Sequence, residues 1–148
     1  MRKVKADELI PAYRELVSRA ADALRYSYSP YSGFAVGAAL LSEDGQIITG
    51  VNVENASYSL TICAERSAVA AAVSQGVKIF RAIAVIAAVP GEIITPCGAC
   101  RQVLLETSVI SGSDIDVILS DSARGRMIMT TARELLPLEF HPGHLSGK

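Results

Sequence analysis

The sequence predicts an α/β fold, a three-layer α/β/α sandwich built on one mixed sheet of five strands. Three observations carry that reading. Segments of helical and strand periodicity follow one another in the order α-β-β-α-β-α-β-β-α. Glu43-Asp44-Gly45 stands between two apolar runs and is a hairpin signal, so the first two strands should pair antiparallel. Residues 82–89 are all alanine or β-branched, as expected of a strand covered on both faces.

Leu9, Ala12, Tyr13, Leu16, Val17, Ala20 and Leu24 recur at helical spacing and predict an amphipathic helix over residues 6–25. The Tyr-Ser-Tyr-Ser-Pro-Tyr-Ser-Gly stretch at 26–33 breaks it into a loop. Residues 34–42 and 46–53 form the hairpin strands, and 54–62 has no clean period and reads as a loop. Residues 63–75 are alanine-rich and helical, with Gly76 placed as a C-terminal cap. After the strand at 82–89, Pro90-Gly91 punctuates the chain. A helix at 97–107, strands at 115–120 and 126–130, and a short helix at 131–136 before Pro137 complete the pattern. The two central helices serve as crossovers on one side of the sheet. Their N-termini then lie near the strand ends where α/β proteins bind ligands.

With 148 residues the chain fits a single domain over 1–148. Half of it is hydrophobic and 20% is charged, which excludes a disordered chain. Its 14 basic and 15 acidic side chains leave a net charge of -1, which argues against a nucleic acid polymer as partner. The longest apolar run falls far below the roughly 18 residues of a membrane span, and the first residues lack the apolar stretch of a secretory signal. A cytoplasmic location is the expectation.

The cysteines are Cys63, Cys97 and Cys100, an odd number that does not suit a disulfide framework. Cys97 and Cys100 stand three apart at the start of a predicted helix, with Thr95 as a candidate cap and Pro96 at the first helical position. Thiols there ionise easily and grip a soft metal. A Cys-x-x-Cys pair also serves redox and structural zinc sites, so the element alone leaves these open. Cys63 adds a third thiol at a second helix start. Three protein ligands leave a fourth position for water, the arrangement of a catalytic zinc. Glu65 stands two residues on and can face that water. Read alone, it is equally an acid favoured by a helix's first turn, although its offset from Thr61 does not make a capping box.

Cys63-Ala64-Glu65 followed by Pro96-Cys97-Gly98-Ala99-Cys100 resembles the zinc-dependent cytidine deaminases of the all-cysteine, homotetrameric type. The likeness extends to Tyr31-Ser32-Gly33-Phe34-Ala35-Val36-Gly37, to Asn52-Val53-Glu54-Asn55-Ala56-Ser57-Tyr58, to Arg101-Gln102-Val103-Leu104, and to Glu134-Leu135-Leu136-Pro137. It runs from about the first helix to Phe140.

The resemblance implies a cytidine deaminase-like fold that hydrolyses cytidine and deoxycytidine to uridine and deoxyuridine plus ammonia, in pyrimidine salvage. Cys63, Cys97 and Cys100 would hold one Zn2+ per subunit, and Glu65 would shuttle protons between water, N3 of cytosine and the departing amino group. Arg66 would offset the thiolate charge. The Ala64 N–H and Thr95 carbonyl would meet the base edge, and Phe34 would lie against the ring. Asn52 and Glu54 would take a ribose hydroxyl. Ala56 and Tyr58 would reach a neighbouring subunit's site and Phe140 would stand near the sugar or the interface, so that the homotetramer shares its active sites. Asn52 and Glu54 also read as loop anchors, Phe34 as a strand-start core residue, and Arg66 as a solvated helix residue. The tail from His141 to Lys148 matches no pattern, and its histidines look incidental. The alanine-rich second helix would suit close packing, either on its own sheet or between subunits. A deaminase of another cytosine nucleoside, such as blasticidin S, is the runner-up. A non-catalytic zinc-stabilised binding domain is opposed by the open metal site and Glu65. With three Phe, five Tyr and no Trp, a polynucleotide deaminase has few stacking groups.

Overall fold

Alternation along one central strand decides where the other elements pack. In β4 (Phe80–Ala87), Ile83 and Val85 enter one core layer while Ala82, Ala84 and Ile86 enter the other. The structure is a computed structural model that describes residues 1–145. The last three residues of the His141–Lys148 tail lie outside the described residues.

β4 pairs antiparallel with β2 (Val36–Ser42) and parallel with β5 (Asp116–Ser120). β3 (Ile47–Val51) joins β2 through the expected hairpin, and β6 (Met127–Thr131) returns antiparallel along β5. A further strand, β1 (Arg2–Val4), adds to β6, and the sheet runs β1-β6-β5-β4-β2-β3. Among the described residues the sheet therefore has six strands rather than five. β1 spans three residues and buries only Val4, too little to show a period in the sequence.

Helix α1 (Pro11–Ala23) covers one face through Leu16, Val17 and Ala20. It starts later than predicted because Pro11 has no N–H and holds Ile10 in an extended conformation (ψ 155°). Residues 6–8 form a separate 3₁₀ turn. Helices α2 (Ala64–Ser74), α3 (Gly98–Ser111) and α4 (Ala132–Leu135) share the opposite face, as expected of the crossovers. Ala64, Ala68 and Ala72 turn α2 onto the chain's own sheet. A Cβ built at Gly50 would lie 2.3 Å from the Ala68 nitrogen, so helix and strand meet backbone to backbone there. That contact accounts for the alanine stripe without a second subunit.

The start of α3 differs from its expected form. Cys97 is the N-cap, extended at ψ 167°, and Gly98 is the first helical residue, so neither Thr95 nor Pro96 caps or opens the helix. Its far end runs on to Ser111 and closes on Gly112 at φ 67°, a left-handed cap suited to glycine.

Candidate active site

β3 and β4 both lie antiparallel to β2, so they point the same way. The helices that follow them, α2 and α3, therefore begin at the same end of the sheet. Cys63 is the N-cap of α2 and Cys97 the N-cap of α3. Their sulfurs stand 3.9 Å apart, and Cys100, one turn into α3, brings all three sulfurs within 4.8 Å of one another. A tetrahedral zinc with bonds of about 2.3 Å would hold its sulfurs about 3.8 Å apart, so the cluster fits that ion.

The thiols differ in surroundings. Cys100 is buried, Cys63 half-buried and Cys97 exposed. A hydrogen bond from Cys100 is the main cause drawing Cys63 down to about 6, with Cys97 and the Arg66 charge adding to it. Cys100 is pushed up, because its proton serves Cys63 and because it is desolvated. Glu65 is 4% exposed, and burial raises its carboxyl above the usual range.

Cys63, Cys97 and Glu65 meet at a pocket of about 200 Å³ whose apolar walls are Phe34, Val36, Val85 and Ile94. Asn52, Thr61, Ala64 and Thr95 complete its lining. Asn52 donates from Nδ2 to the Phe34 carbonyl at 2.7 Å and accepts from the Val36 N–H at 2.8 Å and from the Ser27 hydroxyl. It thus anchors the entry to β2 at the pocket wall. Glu54 lies in an adjoining cleft with Tyr31, Ser32, Tyr58 and Thr61. It accepts from the N–H groups of Tyr31 (2.9 Å) and Ser32 (3.2 Å) and from the Ser32 hydroxyl, and these hold its carboxyl below the usual range.

The other predicted residues sit at the periphery. Tyr58 is 74% exposed, with its ring 5.9 Å from that of Tyr31, and Ala56 is exposed on the same loop. Phe140 is 57% exposed, and its carbonyl accepts from Gln102 Nε2 at 2.9 Å. Arg66 makes no hydrogen bond to the thiols among the described residues and acts on Cys63 through its charge. Sequence reading missed the part played by Arg101. Its guanidinium donates to the Pro96 carbonyl at 2.8 Å, the Leu135 carbonyl at 3.0 Å and Thr95 Oγ1 at 3.3 Å. The signal was present: a cation in a helix's first turn opposes the dipole and needs oxygens to hold it.

Residues 11–111 match the profile described as the cytidine and deoxycytidylate deaminase zinc-binding region. The chain belongs to the cytidine and deoxycytidylate deaminase family. It is 46% identical over 132 residues to a cytidine deaminase of Sporosarcina psychrophila, covering 89% of this chain and 93% of that one. It is 44% identical over 132 residues to a probable cytidine deaminase of Dictyostelium discoideum, covering 89% and 86%. The crystal structure of cytidine deaminase from Burkholderia pseudomallei superposes with a TM-score of 0.79 at 42% identity, covering 86% of this chain and 98% of that one. Zinc is the ion of this deaminase family's binding region, and the Cys63, Cys97 and Cys100 cluster can hold it.

Proposed function

We propose that the chain hydrolytically deaminates cytidine and deoxycytidine to uridine and deoxyuridine, releasing ammonia, with one zinc per subunit held by Cys63, Cys97 and Cys100. The observation that carries this reading is the convergence of a buried carboxyl, Glu65, and the thiol cluster at the polar end of an apolar pocket. Bound zinc supplies a Lewis acid that makes a coordinated water acidic near neutral pH.

Glu65 takes the water's proton and hands it to N3 of the ring. The water oxygen bonds to C4, Glu65 takes the remaining proton from the new C4 hydroxyl and passes it to the amino group, and the C4–N bond breaks as the C4 carbonyl forms, freeing ammonia. Phe34 packs on the ring, and the Ala64 N–H and Thr95 carbonyl meet the base edge. Asn52 and Glu54 select the sugar, Glu54 from the adjoining cleft. Arg66 offsets thiolate charge.

The same reading includes a homotetramer that shares its sites through Ala56, Tyr58 and Phe140, a cytoplasmic location and a role in pyrimidine salvage. The exposure of Tyr58, Leu60 and Phe140 supports the assembly. No described helix is long and apolar enough to cross a membrane. The test is incubation with cytidine while following the absorbance change to uridine, with zinc content measured in parallel. Steady conversion by zinc-loaded protein is expected. A zinc-loaded protein inert to cytidine, or one that turns over only blasticidin S, overturns the reading.

A further inference from the structure

The chain between β4 and α3 forms one wall of the pocket through Ile94, Thr95 and Cys97. Among the described residues, 93–96 make no backbone–backbone hydrogen bond and belong to no regular element. A wall without ladder or helix bonds must be held by other means. Ile93 packs against the core, Pro96 is buried, and the remaining polar anchors come from Arg101.

We infer that Arg101 is a positioning residue that holds this wall in the shape the nucleoside pocket requires. Its Nε and Nη2 grip Pro96 and Thr95 from one side, while Nη1 is fixed on the Leu135 carbonyl at the end of α4. That carbonyl closes a helix and has no partner within it, so the cation satisfies an orphan acceptor. The planar guanidinium spans both segments at once, which a single ammonium cannot do. With the side chain of Thr95 and the carbonyl of Pro96 both held, the Thr95–Pro96 peptide loses its freedom to turn. The pocket keeps its wall before any nucleoside enters.

The experiment compares the intact protein with Arg101→Lys and Arg101→Gln by three readouts. Zinc content should equal that of the parent, because no ligand is touched. Glu92 is exposed just ahead of the wall, and a glutamate-specific protease should cut after it at least about fivefold faster in both variants, since local opening becomes easier. KM for cytidine should rise at least about tenfold, by the loss of charge-assisted hydrogen bonds that order the wall. Unchanged cleavage, or unchanged KM in an enzyme that turns over cytidine, overturns the proposal, as does activity lost only in step with zinc. The KM arm rests on the nucleoside reading, whereas the cleavage arm does not. A parent protein inert to cytidine but with faster cleavage in the variants would remove that reading and leave the strap in place.

Discussion

Glu65 and Arg66 are neighbours on α2 and act on the cluster in opposite senses, the carboxylate raising the Cys63 thiol and the guanidinium lowering it. Glu65 stands outside the three-sulfur cluster that can hold the ion, so Glu65→Ala should keep near-stoichiometric zinc. It should lose at least about a thousandfold in turnover, within the range of a missing proton shuttle. Metal analysis beside a deamination assay checks both halves. Arg66→Gln leaves three thiolates around one dication with less compensation, so kcat should fall more than substrate affinity, read from the split between kcat and KM. Glu54 adds a pH test. Its carboxyl is lowered in the fold by the Ser32 hydroxyl and two backbone N–H groups. The tether is therefore complete above the ordinary carboxylate range and is lost only as pH falls through that lowered value. KM for cytidine should stay level from pH 8 down to about 5, and Glu54→Gln should raise it several-fold evenly across that window.

Elements place these residues, and the tightest fit between elements is α2 on β3. At Gly50 an added Cβ would stand 2.3 Å from the Ala68 nitrogen and 2.5 Å from the Ala64 oxygen, both backbone atoms that cannot swing aside. Gly50→Ala should destabilise the protein by about 1–3 kcal/mol, as overpacking does, and lower zinc occupancy by lifting the end of α2 that carries Cys63. Gly125→Ala meets nothing within 4 Å and should unfold at the parent temperature. Thermal unfolding with zinc analysis separates the two. The hairpin, the crossovers and the three thiols were legible because their signals are local: Asp44-Gly45, the alanine and β-branched run of β4, and cysteines at two helix starts. What escaped was non-local. β1 exists because Met127–Thr131 offers it an edge, and Arg101 finds its Leu135 partner 34 positions away. Asn52 was already legible as a loop anchor, but its partners Ser27 and Val36 were not, because they come near it only once β2 and β3 have paired. Thr95 was read as a cap because the sequence shows which residue types suit an N-terminus, not which residue first turns into the helix.

At the scale of the whole molecule, the exposed rings of Tyr31 and Tyr58 beside the Glu54 cleft bear on assembly. If sites are shared, a Glu65→Ala chain still lends a sound Tyr58, and a Tyr58→Ala chain still lends a sound Glu65. Unfolding the two and refolding them together should give more activity than the sum of each refolded alone. No gain, with mixing confirmed and each parent defective, means Tyr58 serves its own subunit. Of the three thiols Cys100 alone is buried, while both core layers are built from aliphatic residues, Phe80 and Met127, and the sheet sets both helix ends. Unlike small domains that collapse only around their ion, this chain should mature in two separable stages, first shape and then metal. Protein from zinc-starved cultures should show the circular dichroism of the loaded form and melt cooperatively. Adding zinc should then restore turnover within minutes and without any refolding step, so that ion supply, not fresh synthesis, sets the active fraction of the pool.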